Sequence, residues 1–237
     1  MEYGIQLYGM RDVAEQSLEN AVKMAADIGY SSVEFAGFFD RTPEQVKEML
    51  AANNIKLSGT HTSYGELLTD LEKTLAYHKA IGNKHFIIPA LDLTSQDKLD
   101  DFVKRIGPMI ERFNEEGITI SFHNHSREFE RNADGSYVFD QLLYRTNLKF
   151  QVDCCWAYVG MGDPIALLER VGDRLTFIHL KDALGHRSCP LGQGDVPIKA
   201  VHEWAVAHNI PMVVESESLN PDGPTEARIC LEYLKSL

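Results

Sequence analysis

Short runs of β-branched and aromatic residues recur along the chain, and each is followed by a longer stretch whose apolar residues return every three or four positions. That alternation marks repeated strand–helix units and a parallel sheet, because each strand needs a crossover helix before the next can run alongside it. Eight runs fit strands: Gly4–Leu7, Ser32–Phe35, Lys56–Thr60, His85–Pro89, Thr119–His123, Lys149–Asp153, Thr176–Leu180 and Pro211–Glu215. Between them, Leu18, Val22, Ala25, Ala26 and Ile28 form one apolar helical face that stops at Gly29, a helix C-terminal glycine. Thr42-Pro43 and Asp163-Pro164 each place a capping residue before a proline at the first helical position. Thr94 or Ser95 caps a further helix through Leu99, Phe102, Val103 and Ile106, and Gly107-Pro108 is expected to kink or interrupt it before it resumes to Glu116-Gly117.

Eight units in 237 residues leave about 30 residues for each, enough to close a (β/α)8 TIM barrel and too few for a second domain, so residues 1–237 are expected to form one domain. The rival is an open doubly wound sheet. No GxGxxG or GxxxxGK[ST] stands at a strand-to-helix turn, which removes the support for a nucleotide site and favours the barrel.

Composition narrows the classes further. Hydrophobic residues are 44% and charged residues 24%, an ordinary globular mix. The longest apolar runs, such as Phe86-Ile87-Ile88 and Met212-Val213-Val214, fall far short of the roughly 20 residues of a membrane span. The first residues carry no basic segment leading into an apolar run, so a cytoplasmic protein without membrane contact is expected. Cys154, Cys155, Cys189 and Cys230 show no CxxC pair and read as reduced thiols. A net charge of −12 without a basic cluster repels polyanions and argues against a nucleic-acid partner.

The chemistry gathers where strands end. Phe122-His123-Asn124-His125 ends one strand, Val152-Asp153 the next, then Ile178-His179-Leu180-Lys181-Asp182, then Val214-Glu215. A lone histidine at a strand end is ordinarily a hydrogen-bonded packing residue. Four titratable ends in succession are harder to explain that way, because desolvation disfavours them unless they are paired or metal-bound. A barrel brings such ends to one mouth, where its active sites lie. Two imidazoles and two carboxylates suit a divalent ion: manganese or zinc first, with magnesium or cobalt as alternatives. Gln6, Glu34, His61 and Tyr64 are weaker candidates at the other strand ends, equally readable as rim hydrogen-bonding residues. Trp156 offers a ring face to a sugar or simply packs in the core.

These stretches resemble the sugar phosphate isomerase/epimerase family, the xylose isomerase-like barrels. The matching segments are Gly4-Ile5-Gln6-Leu7-Tyr8 with Arg11-Asp12, and Phe122-His123-Asn124-His125 with Glu128-Phe129. They continue through Asp153-Cys154-Cys155-Trp156 with Gly162-Asp163-Pro164, His179-Leu180-Lys181-Asp182, Leu191-Gly192-Gln193-Gly194 and Val214-Glu215. The resemblance implies a metal held by Asp153, His179 and Glu215, with His123 where many members have a glutamate. Only Glu215 of the usual carboxylate pair is then present, and a histidine ligand leaves one negative charge fewer around the ion. If His123 is not a ligand, Glu128 or His125 approaches the same position.

The implied reaction is rearrangement of a small sugar or sugar phosphate whose hydroxyl and carbonyl oxygens chelate the metal, easing loss of the adjacent proton. Glu215, or an imidazole of His123 or His125, acts as base. Lys181 neutralises developing oxyanion charge, or else pairs with Asp182. Gln6, Glu34, His61, Glu128, Trp156 and Gln193 are expected to contact substrate, and Arg11, Arg127 and Arg187 either meet a phosphate, if there is one, or are solvated surface residues. The rivals are a metal-dependent keto-sugar or inosose dehydratase, an endonuclease-like phosphodiesterase and a non-catalytic sugar-binding protein. Such barrels often associate, so a homodimer is also expected.

Overall fold

The computed structural model describes residues 1–132 and 135–237. Among these residues ten strands occur: β1 (Gly4–Gln6), β2 (Ser32–Ala36), β3 (Lys56–His61), β4 (His85–Ile88), β5 (Thr119–His123), β6 (Lys149–Asp153), β7 (Leu175–Leu180), β8 (Asp182–Leu184), β9 (Arg187–Cys189) and β10 (Met212–Val214). Eight of them close a parallel barrel in the order β1-β10-β7-β6-β5-β4-β3-β2, with β1 bonded to β2 on one side and β10 on the other. The eight strands expected from the sequence are these eight, with no end moved by more than one residue. The hairpin β8–β9 was not expected, since its three-residue strands are too short to show a period.

Local signals explain the helices. Ser17 caps Leu18–Ile28, which ends on Gly29 at φ 111°, and Thr42 and Gln45 form a reciprocal capping box ahead of Pro43–Ala52. Ser95, rather than Thr94, caps Gln96–Glu115 by accepting from the Lys98 amide. That helix runs without interruption through Pro108. Pro108 and Lys104, whose carbonyl loses its amide partner, both lie on the exposed side, so water can satisfy the oxygen. The opposite face buries Leu99, Phe102, Ile106, Ile110 and Phe113 against the barrel, each contributing about 1.5–3 kcal/mol.

Two irregularities aim the interior. Register shifts occur between Val33 and Glu34 against β3, and between Phe150 and Gln151 against β7. Each leaves one residue of the neighbouring strand unpaired, as bulges do beside functional sites, and each falls where an interior polar side chain begins. All four cysteines are free, with Cys154 and Cys155 buried as packing residues. Among the described residues no helix is long and apolar enough to cross a membrane.

Candidate metal and substrate site

At the carboxyl end of the barrel, His123, Asp153, His179 and Glu215 converge from four adjacent strands, their ligand atoms all within 4.8 Å of one another. His123 and Asp153 end β5 and β6, His179 lies in β7, and Glu215 follows β10. All four are buried. His179 Nδ1 lies 3.2 Å from Glu215 Oε2, and His123 Nε2 lies 3.9 Å from the same oxygen.

The far nitrogens of both imidazoles are held by a polar network inside the barrel. Glu34 Oε1 accepts from Gln6 Nε2 at 2.6 Å and from His179 Nε2 at 2.8 Å, and Glu34 Oε2 accepts from Gln151 Nε2 at 2.6 Å. Gln151 Oε1 meets His61 Nε2 at 2.7 Å and His123 Nδ1 at 3.1 Å. Gly59 makes room for this hub, since a Cβ there would lie 2.9 Å from Ile87 Cδ1 and 3.3 Å from Glu34 Oε2. Burial pushes Glu34 up, but the His179 and His61 imidazoles outweigh it and hold the carboxyl well below the usual carboxylate range. Glu34 is therefore an anion, so His179 Nε2 is the donor and Nδ1 faces the cluster.

A positive charge belongs at this point. With Nε2 protonated, a neutral His179 would set a bare Nδ1 against the Glu215 carboxylate. Burial lowers the His179 pKa, yet Glu34 and Glu215 together raise it to about 10, so a proton fills the gap that a cation would otherwise take. Asp153 shows the same need. Its Oδ1 accepts the Trp156 amide at 2.8 Å and caps the helix Cys154–Met161, while the buried Oδ2 has no partner. Burial lifts the Asp153 carboxyl to about 7 despite Lys181 nearby. Glu215 goes the other way: burial raises it, but His179, Lys181 and His123 hold it low. The donor set and its open carboxylate oxygen could hold a divalent ion.

Around the cluster, Lys181 Nζ lies 4.4 Å over the Trp156 ring and 2.5 Å from Glu217. Its partner is thus Glu217 and not Asp182, because neighbouring residues on an extended chain face opposite ways. The His125 ring sits 5.0 Å from that of His123 and 5.6 Å from that of Trp156. Burial lowers its pKa to about 4, keeping it neutral. His125 Nδ1 and Trp156 Nε1 are buried without hydrogen-bond partners.

Other expected site residues lie elsewhere. Glu128 turns back on its own loop, accepting from the His125 amide at 2.6 Å and from Arg127 Nε at 3.1 Å, so it does not join the cluster. Gln193 is exposed, and no hydrogen bond ties it to the cluster among the described residues. Its loop is held away by Asp182 and packs where a Cβ on Gly192 would come 2.4 Å from the Tyr233 ring. Tyr64 packs on Phe102. Arg11 donates to the Tyr8 and Glu217 carbonyls, and Arg187 is exposed on β9. Glu34, expected at the rim, sits at the centre, and Gln151, Asn124 and Glu217 were not anticipated in these roles. Asn124 clamps β5 to β6 by exchanging two hydrogen bonds with the Asp153 backbone. A cavity of about 880 Å³ also opens beside the barrel, lined by Phe38, Arg41, Lys73 and Tyr77, and no residue of the cluster borders it.

Comparison with known proteins agrees with this architecture. An inosose dehydratase from Bacillus velezensis is 25% identical, covering 76% of this chain and 70% of its own length. One from Salmonella typhimurium is 22% identical, covering 92% and 89%. Among solved structures, a sugar phosphate isomerase/epimerase from Parabacteroides distasonis superposes with a TM-score of 0.86 at 22% identity, covering all of this chain and 98% of the other. An L-ribulose 3-epimerase does so at 0.78 and 14% identity, covering 100% and 94%. The sequence matches a family profile over residues 22–237, and the chain belongs to the xylose isomerase-like TIM barrel family.

Proposed function

We propose that the chain is a divalent-metal-dependent sugar isomerase or epimerase that removes a proton next to a carbonyl group. The observation that carries this reading is the set of four ligand atoms within 4.8 Å of one another, with Asp153 Oδ2 open among them. His123, Asp153, His179 and Glu215 would hold the ion. When bound, it would polarise a substrate carbonyl as a Lewis acid and make the neighbouring C–H more acidic.

The chain's own groups do the rest. Glu34 and Gln151 fix which nitrogen each imidazole presents, the outer-shell role usual at such sites. Glu215 accepts the substrate proton at its carboxylate. Lys181 stands close enough to the carboxylates to feel both Asp153 and Glu215, and supplies positive charge to a substrate oxygen as electrons move onto it. The open His125 Nδ1 and Trp156 Nε1 offer hydrogen bonds to hydroxyls, and the Trp156 ring offers an apolar face. Burial of the cluster excludes water and strengthens each of these interactions.

A second reading is supported by His123. Because it replaces one carboxylate of the usual pair, the site has one obvious base, and Lys181 is placed to donate a proton to a departing hydroxyl. That is dehydration of a keto-sugar or inosose, the activity named for the dehydratase relatives. The net charge of −12 opposes the phosphodiesterase alternative.

The test is incubation of manganese-loaded protein in deuterated water with ketopentoses, ketohexoses and inososes, followed by proton NMR. Deuterium entering next to the carbonyl with formation of an isomer supports the first reading, and loss of water supports the second. Glu215→Gln is expected to abolish exchange, with metal content measured alongside because Glu215 is also one of the four residues that would hold the ion. No exchange from any substrate by the loaded protein rejects both readings.

A further inference from the structure

We infer that the substrate is an uncharged polyhydroxy carbonyl compound rather than a phosphate ester, and that Glu217 enforces the distinction by occupying Lys181. This rests on the proposed sugar chemistry and narrows it to one substrate class.

Barrels of this kind that bind phosphate commonly do so with the loops after the last two strands and the start of a short helix, where backbone amides point at the anion. Those loops follow β7 and β10 here, and the chain's own carboxylates have taken their amides. Asp182, fully buried, accepts the amides of Gly192 and Gly194, each at 2.9 Å, and of Val196 at 3.2 Å. A Cβ on Gly194 would come 2.3 Å from Asp182 Oδ1, so the loop is wrapped tightly around that carboxylate. After β10, Glu226 is also fully buried and accepts the Leu219 amide at 2.7 Å and the Ser218 hydroxyl at 2.7 Å. The helix Gly223–Ser236 starts with its first amides on Asp12 at 3.0 Å and Asp222 at 2.8 Å.

The cations near the mouth are engaged as well. Lys181, 1% exposed, is held 2.5 Å from Glu217, and Arg127 lies 3.1 Å from Glu128. The Arg11 guanidinium donates to the Tyr8 carbonyl at 2.9 Å and the Glu217 carbonyl at 3.0 Å, and lies over the Tyr8 ring. A phosphate entering here would meet Asp153, Glu215 and Glu217, with Lys181 and Arg127 already ion-paired and Arg11 donating to two carbonyls. A neutral polyol meets what it needs: open His125 Nδ1 and Trp156 Nε1 atoms and an indole face. Glu217 is the element to change, because it is ion-paired with the buried ammonium and a quarter of its side chain is exposed, whereas Asp153 and Glu215 belong to the cluster itself.

The experiment compares a ketose with its terminal phosphate ester on the manganese-loaded full chain, measuring kcat/KM by deuterium exchange, and titrates inorganic phosphate into metal-free protein by phosphorus NMR. The wild type is expected to favour the neutral ketose by roughly tenfold or more, as unpaired like charges at a site oppose the wrong ligand. Glu217→Gln is expected to tighten phosphate binding about tenfold with no comparable tightening of neutral-ketose KM, since an unpaired ammonium attracts an anion far more than an uncharged ground state, whatever becomes of kcat through Lys181. A purely structural role for Glu217 would weaken both ligands together and overturn the assignment. Preference of the wild type for the phosphate ester, or phosphate binding unaltered by Glu217→Gln, would overturn it too. If neither sugar exchanges deuterium, the isomerase reading fails by itself, and the phosphate titration still decides whether Glu217 masks an anion site.

Discussion

Replacing Glu34 by glutamine keeps the shape of the central side chain and changes one acceptor into a donor. The carboxylate accepts from Gln6 and His179 on one oxygen and from Gln151 on the other. An amide has one oxygen, so either orientation sets a donor against a donor. With its NH2 toward Gln151, that side chain must turn over and present its own NH2 to His61 and His123, 2.7 and 3.1 Å from its present oxygen. With its NH2 toward His179, the imidazole must move its proton from Nε2 to Nδ1. In either case one imidazole offers the cluster a proton where a lone pair belongs. Loss of such an outer-shell partner typically lowers metal affinity about 10–100-fold, or about 1.4–2.8 kcal/mol. Competition for zinc against a fluorescent chelator measures this directly, with circular dichroism confirming that the variant is folded. Wild-type and Glu34→Gln affinities within about twofold of each other would refute the claim that Glu34 sets the imidazole orientation, given the usual size of such effects.

Two further outcomes concern the frame. Gly9→Ala places a Cβ 2.4 Å from the Ser216 carbonyl, next to Glu215, and is expected to cost about 1–3 kcal/mol of stability; an unchanged urea midpoint would contradict the close approach. Burial lowers the His78 pKa from its ordinary 6.5 to about 4. The unfolded chain therefore takes up that proton first, and stability present above pH 6.5 drains away toward pH 4, by about 3 kcal/mol at most. His78→Gln should flatten the stability profile over that window, and an unaltered slope would contradict it.

The convergence of His123, Asp153, His179 and Glu215 was legible because each stands at the end of an apolar strand, where an unpaired titratable group is costly. Its supporting network was not. Gln151 reads as an ordinary polar residue within a strand, and only barrel closure brings it to Glu34, which is distant in sequence. The bulges beside these two residues shift the facing of β2 against β3 and β6 against β7, so Glu34 appeared to belong to the rim. The Lys181 partner was open to better reading, since two-residue alternation already excludes the adjacent Asp182. Asp182 and Glu226 resemble surface carboxylates until the loops they hold are folded around them. The helix across Pro108 depended on which face met water, a tertiary fact.

The most direct test of the site is anomalous scattering from crystals grown in saturating manganese. One peak per chain, bounded by His123, Asp153, His179 and Glu215 and absent in Asp153→Asn, is expected. A peak placed elsewhere, or none at saturation, would contradict a shared cation among these four side chains.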